Sequence, residues 1–299
     1  MNYTNLYVKF LKRFFRVRLP VKVVFDCSNG TVGPVLGKLL KKQKRVRGKV
    51  INGRPDGNFP VHSPNPLAPG VTKQIIREVK KIKADLGIIF DADGDRVVFI
   101  DNLGREVDPR YILCLLAPLF SMPYLVNTAL GKEVMKWLLP KSKFIEENTG
   151  RYFIKRTAQK KNIDFAVERS GHYFFKDFHY ADSGILTAIL AINQVSLLKS
   201  KGLNLSEWIN ALPQIYSTGE VNLKAKNVKR FLTLLQNRFR GKGYKVYKND
   251  GVTIIGPASW INARTSNTEP VIRVQLVSRN KQAFMANKRL LETITSYTY

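Results

Sequence analysis

Residues 90–96 read Phe-Asp-Ala-Asp-Gly-Asp-Arg, so an apolar run ends in three carboxylates at alternate positions, Asp91, Asp93 and Asp95. Side chains at i, i+2 and i+4 fall on one side of an extended segment. Gly94 lets the chain curl, so that all three can converge on one ion. Three oxygen donors without His or Cys favour a hard cation, Mg²⁺ before Mn²⁺ or Ca²⁺. An EF-hand also spaces acids this way, but it needs Gly and Glu where Arg96 and Asn102 stand. An aspartyl-nucleophile phosphatase would use a carboxylate covalently and expects Thr where Asp95 stands. A solvated acidic turn without a ligand is the plain alternative.

Two further segments could do chemistry. Residues 168–172 read Glu-Arg-Ser-Gly-His after the apolar run IDFAV. Glu168 and Ser170 on a Gly-containing turn can grip adjacent sugar hydroxyls. His172 can hydrogen-bond there or titrate near neutrality, or be simply structural. Residues 264–270 read Arg-Thr-Ser-Asn-Thr-Glu-Pro. Arg264 offers a fork-shaped cation, and Ser266, Asn267 and Thr268 offer donors beside exposed backbone N–H groups, a plausible anion cradle. An ordinary polar hairpin turn is the alternative.

The elements that must hold these segments follow from periodicity. Apolar positions in residues 3–15 have helical spacing, and VKVVFD at 21–26 is a short β-branched run followed by turn residues. A helix at 31–43, a strand at 46–51, a helix at 71–83 and a strand at 85–90 follow. Between them, residues 52–70 are too rich in Pro, Gly and Asn for regular structure. Helices are expected at 110–120, 130–139, 150–160 and 182–199, and strands at 123–128, 143–146 and 163–167. This alternation predicts layered α/β architecture with parallel pairing. After residue 213 the pattern changes to a strand at 216–223, a helix at 226–240 and strands at 244–248, 251–256, 259–264 and 270–278. A helix at 280–295 closes a small α+β domain. The division expected is 1–105, an α/β domain ending in the metal loop; 106–212, an α/β domain with the sugar loop; and 213–299, an α+β phosphate-binding domain.

With 299 residues, 44% of them hydrophobic, the chain can bury real cores. No run approaches the roughly 20 apolar residues of a membrane span. Lys9, Lys12 and Arg13 interrupt what would be a signal peptide's apolar core, so a cytoplasmic address is the default. Cys27 and Cys114 are too few for a disulfide framework or zinc site. The net charge of +28 is densest at Lys38–Lys49. It attracts nucleic acid or phosphorylated metabolites, but no RNA-binding signature accompanies it, and the run reads as a solvated face.

The three segments, in order and wording, resemble the α-D-phosphohexomutases, which include phosphomannomutase and phosphoglucomutase. DADGDR resembles their DGDGDR loop, ERSGH their GExSGH loop and RTSNTEP their RxSNTEP loop. DCSNG at 26–30 and PDGNFPVHSPNP at 55–66 resemble segments of that family's second domain. The resemblance implies the family's domains two and three followed by its small C-terminal domain. It implies Mg²⁺ on Asp91, Asp93 and Asp95, with Arg96 and His172 as the catalytic residues. Glu168 and Ser170 would select sugar hydroxyls, while Arg264, Ser266, Asn267 and Thr268 would hold the distal phosphate. The implied reaction moves a phosphoryl group between the 6- and 1-positions of a hexose, mannose or glucose, through a bisphosphate. Hexose phosphates and a hexose bisphosphate are the implied partners.

The chain departs from that pattern in two places. No segment reads like TASHNP, the family's phosphoserine loop, so a separate phosphoserine-domain protein is expected to supply the donor. Where the family reads like TKVGHxxIK, residues 147–155 place Asn148 and Arg151 at the Lys and His positions. Asn does not titrate, and Arg stays protonated. These changes leave a non-catalytic Mg²⁺-dependent phosphosugar-binding protein as the second expectation. A basic nucleic-acid-binding protein is the third.

Overall fold

The structure, a computed structural model, describes residues 2–223, 227–241, 243–265 and 271–296. The chain runs through α1 (Tyr3–Lys12), β1 (Val21–Asp26), α2 (Val32–Leu40), β2 (Val46–Ile51), α3 (Lys73–Ile82) and β3 (Leu86–Phe90). It continues through β4 (Val97–Asp101), β5 (Glu106–Val107), α4 (Pro109–Leu116), β6 (Tyr124–Asn127), α5 (Lys132–Leu138) and β7 (Phe144–Glu147). Next come α6 (Arg151–Lys161), β8 (Phe165–Val167), β9 (Tyr173–Phe175), β10 (Ala181–Asp182), α7 (Gly184–Ser200) and α8 (Leu205–Asn210). The last part is β11 (Tyr216–Leu223), α9 (Val228–Phe239), β12 (Lys245–Tyr247), β13 (Val252–Ile255), β14 (Ser259–Thr265), β15 (Ile272–Ser278) and α10 (Lys281–Ser296). The architecture is the mixed one expected, α/β elements followed by a small α+β part. By compactness the chain divides into two units, Met1–Tyr124 with Thr157–Ala211, and Leu125–Arg156 with Leu212–Tyr299.

In the first unit, one sheet has the strand order β2–β1–β3–β4–β5. β1 pairs in parallel with β2 and with β3, as βαβ connections through α2 and α3 require. β4 and β5, which the periodicity does not announce, join this sheet antiparallel. The reason is local: the aspartate segment is a hairpin connection, so the chain returns along the strand it has just left. All five residues of β3 and all five of β4 are buried. With no alternation to read, β4 leaves no periodic signal. α3 lays Ile75 and Val79 against Val24, Ile89 and Ile100 of this sheet. A further ladder, β8–β9–β10, is antiparallel throughout.

α7 is apolar on all sides and buries 13 of its 17 residues, as a helix inside a core must. Its N-terminus is capped by Ser183, whose Oγ accepts from the Leu186 N–H at 3.1 Å. α7 also explains why α1 stops at Lys12 although apolar spacing continues to Phe15. There the backbone N–H of Arg16 donates to Asn193 Oδ1, and those of Arg18 and Leu19 donate to Ser196 Oγ. The chain exchanges helical bonds for bonds to α7.

In the second unit, β11 to β15 form an antiparallel sheet in the order β11–β15–β14–β13–β12. α9 and α10 supply Phe231, Leu235, Phe239, Leu291 and Ile294 to a core with Ile254, Ile261 and Leu276. In the same unit, Val134 of α5 packs with Trp260 and Val277. Gly131, at a φ of 83°, lies so close to the Trp260 ring that a Cβ would sit 2.9 Å from it.

Candidate functional site

The three aspartates lie on the connection between β3 and β4, just past the closing pair Phe90–Val97. Asp91 is 2% exposed, a costly place for a charge unless it is paired. Its Oδ1 accepts from the Gly94 N–H at 3.0 Å and the Arg96 N–H at 3.1 Å, and its Oδ2 accepts from Arg96 Nε at 2.7 Å. Gly94 has a φ of 78°, the left-handed turn that curls the loop. Asp91, Asp93 and Asp95 each place one carboxylate oxygen within 4.8 Å of the others, near enough for one ion to touch all three. An all-carboxylate donor set of this kind fits Mg²⁺.

Burial pushes the Asp95 carboxyl up to about 7, reinforced by its hydrogen bond to Asp91 and the charges of Asp91 and Asp93. Nearby His172 opposes that rise. For Asp91 burial also acts upward, but the hydrogen bonds from Asp95 and Arg96 outweigh it and hold its pKa below the usual value. Below about pH 7 the Asp95 carboxyl therefore favours its protonated form, and a cation would have to displace that proton.

The DCSNG turn supports this loop from below. Asp26 is fully buried at the end of β1 and accepts from the Ser28 N–H and Asn52 Nδ2, each at 2.9 Å, while His62 Nε2 lies 3.1 Å from its other oxygen. Ser28 Oγ donates to the Phe90 carbonyl at 2.6 Å, and the Thr31 N–H donates to the Ala92 carbonyl at 2.8 Å. Gly30 is required here, because a Cβ would overlap Ala92. From the 52–70 loop, Asn65 Oδ1 accepts from Arg96 Nη1 at 3.2 Å. The sequence signal for this support was the pairing of an Asp-terminated strand with a Gly turn, which names no partner.

Residues 168–172 are joined to the aspartate loop by main chain. The Val97 N–H donates to Gly171 O at 3.0 Å, and Arg96 and His172 form an antiparallel bridge. The Glu168 N–H donates to His172 O at 2.9 Å, and the Gly184 N–H to Gly94 O at 2.9 Å. Glu168 is buried, Ser170 half-buried. His172 Nδ1 lies 2.8 Å from Asp182 Oδ2 and 3.8 Å from Asp95 Oδ1. Asp182, which sequence reasoning missed, thus completes a second close group of Asp95, His172 and Asp182. Arg169 reaches within 3.9 Å of Asp108, which also binds the fully buried Arg110 at 3.0 Å.

In the second unit, Arg264 is 6% exposed, and its Nη2 donates to Glu220 Oε2 at 3.0 Å. Glu220 also lies 3.5 Å from Arg273, so one carboxylate faces two guanidinium groups. Arg264 Nε is buried without a hydrogen-bond partner among the described residues. Ser266, Asn267 and Thr268 lie outside the described residues. Asn148 is exposed, and its N–H donates to Glu147 Oε1 at 2.8 Å; Arg151 opens α6 and is exposed.

The family model for phosphoglucomutase/phosphomannomutase α/β/α domain II matches residues 5–104, and that for α/β/α domain III matches residues 131–216. A phosphomannomutase of Escherichia coli (strain K12) is 31% identical over 320 aligned positions, covering 98% of this chain and 67% of the relative. A phosphoglucomutase/phosphomannomutase family protein from Burkholderia thailandensis superposes with a TM-score of 0.83 at 25% identity, covering 99% of this chain and 64% of that one. An Aspergillus fumigatus N-acetylphosphoglucosamine mutase, solved in complex with GlcNAc-6P and magnesium, shares the fold with a TM-score of 0.65 at 16% identity, covering 97% of this chain and 68% of that one. The chain belongs to the phosphoglucomutase/phosphomannomutase family, the α-D-phosphohexomutases. It spans about two thirds of the length of these relatives. Among the described residues no helix is long and apolar enough to cross a membrane.

Proposed function

We propose that this chain carries the metal, sugar and phosphate segments of a hexose-phosphate mutase of the cytoplasm, working between hexose 6-phosphates and hexose 1-phosphates. The observation that carries this reading is the aspartate hairpin itself. Three convergent carboxylates are tied through main-chain bonds to the Glu168–His172 loop. The magnesium in the Aspergillus fumigatus relative supports Mg²⁺ as the ion, and its GlcNAc-6P supports a phosphosugar ligand. The domains are then assigned as 1–105, 106–212 and 213–299.

The residues would divide the work as follows. Asp91, Asp93 and Asp95 hold the cation, which when bound neutralises charge on the transferring phosphoryl group. Arg96 is committed to Asp91 and Asn65, so its part is to fix the loop and lend positive charge at its edge. His172, against Asp182, steadies Asp95 from the far side. Glu168 and Ser170 select sugar hydroxyls. Arg264, with Ser266, Asn267 and Thr268, takes the phosphate that does not react; its buried Nε is a donor fit for an anion. The phosphoserine is assigned to a domain outside these 299 residues, expected to act when added in trans. Asn148 and Arg151 cannot accept the hydroxyl proton, so that proton leaves by another route.

The test is a mutase assay with Mg²⁺, mannose 1-phosphate, glucose 1,6-bisphosphate and a serine-domain protein added separately. Formation of mannose 6-phosphate that disappears with Asp93→Asn supports the reading. No turnover together with saturable hexose-phosphate binding would favour a second reading, non-catalytic phosphosugar binding, which rests on Asn148 and Arg151. No binding at all removes both.

A further inference from the structure

The first fifty residues carry thirteen lysines and arginines but one acid, Asp26, which is fully buried. No carboxylate from this stretch reaches the surface. α1 and α2 pack side by side, and a groove of about 450 Å³ between them is lined by Asn5, Val8, Lys9, Lys12, Lys38 and Lys41. Lys9 and Lys12 stand three residues apart on α1, and Lys38 and Lys41 are three apart at the end of α2. Residues at that spacing share a helix face, so each helix gives the groove one pair of ammonium groups. Lys38 Nζ donates to Asn5 Oδ1 at 3.0 Å, and no ion pair engages any of the four among the described residues.

Four ammonium groups held together without a counter-charge repel one another, and an anion seated among them removes that cost. The chemistry of the lining narrows the anion. Lysine is a compact point charge with rotatable donors and lacks the planar fork that reads a carboxylate. No aromatic ring lines the groove, so nothing in it would stack on a base. What remains is recognition by successive negative charges along a cleft. We propose that the α1–α2 groove is a polyphosphate site, taking a chain of about three linked phosphates through Lys9, Lys12, Lys38 and Lys41. The phosphates can belong to an inorganic chain or to a nucleoside triphosphate; the lysines treat both alike.

The test is calorimetry on the full chain without divalent cations, at about 0.15 M salt, where exposed charges further apart than about 8 Å are largely screened. Sodium tripolyphosphate is expected to bind at one site, with orthophosphate far weaker and ATP comparable. Neutralising the groove with Lys9→Gln, Lys12→Gln, Lys38→Gln and Lys41→Gln is expected to weaken tripolyphosphate by about tenfold or more, since four weak exposed ion pairs are lost together. That variant should melt no lower than the parent without ligand, because repulsion is removed. If it fails to fold, the single changes Lys12→Gln and Lys38→Gln are each expected to weaken binding measurably. A control changing the exposed Lys155, Lys160, Lys161 and Lys201 to Gln should leave affinity unchanged. Equal losses in the two quadruple variants, or many equivalent weak sites, would overturn the proposal in favour of diffuse attraction to a +28 chain. ATP binding much tighter than tripolyphosphate would overturn recognition by phosphates alone.

Discussion

Arg96 holds Asp91 from two directions: its Nε donates to Oδ2 at 2.7 Å, and its own backbone N–H donates to Oδ1 at 3.1 Å. Side chain and main chain of one residue therefore fix both oxygens of a buried carboxylate. Arg96→Ala keeps the backbone bond and removes the charged one. A charge-assisted bond contributes about 1.5–3 kcal/mol, so the variant should lose about that much stability by urea denaturation. Mg²⁺ affinity should fall as well, because Oδ2 of Asp91 is no longer oriented while Oδ1 keeps its backbone donors.

Asp95 sets a pH dependence whose sign is opposite to that of most acids. Burial raises its pKa in the folded protein to about 7, well above the usual carboxylate range. A raised carboxyl pKa means the fold favours the protonated form, so the stability it contributes is present at low pH and is lost as pH rises through about 7. Mg²⁺ needs the ionised form, so its affinity should climb over the same window and then level off. Calorimetry in buffers of different ionisation enthalpy should show close to one proton released per Mg²⁺ below that pKa and little above it. Asp95→Asn should abolish the pH dependence along with the binding.

Glycines let the aspartate loop and the 168–172 loop meet. Gly171, at a φ of 88°, would put a Cβ 2.8 Å from Val97 O, and that carbonyl cannot yield without moving β4. Gly171→Ala is expected to cost about 1–3 kcal/mol and to weaken Mg²⁺ binding. Gly37 in α2 has open space around it, and Gly37→Ala should instead stabilise by about 0.4–1 kcal/mol. Thermal melts of the pair give the contrast.

Arg110 is fully buried, and Asp108 is its carboxylate partner at 3.0 Å. Burial acts to raise the Asp108 pKa, but the charges of Arg110 and Arg169 prevail and hold it low. Asp108→Asn removes the carboxylate charge that faces a buried cation, and breaking a buried pair typically costs about 3–5 kcal/mol. A drop in the urea midpoint with an unchanged slope would show that loss.

The convergence of Asp91, Asp93 and Asp95 was legible in the sequence because the three carboxylates lie within five consecutive residues and an apolar run delivers them. The β1–α2–β2 unit was legible for the same reason, since its signals are local periodicities. What escaped is what the fold brings together from afar. Asp182 is ten residues from His172, with β9 and a turn between them, and nothing at Asp182 announces a partner. Glu220 meets Arg264 from 44 residues away, so an arginine read as an anion fork also serves an internal carboxylate. β10 has two residues and β9 three, too short for either to carry a period.

The central expectation is that Asp91, Asp93 and Asp95 form a cation site that works with a phosphosugar. The most direct measurement is a calorimetric titration of the full chain with mannose 6-phosphate or glucose 6-phosphate, with and without Mg²⁺, repeated on Asp93→Asn. Saturable binding that Mg²⁺ strengthens in the parent but not in the variant is the result predicted. Hexose-phosphate and Mg²⁺ binding that are both absent, or both indifferent to Asp93→Asn, would contradict it.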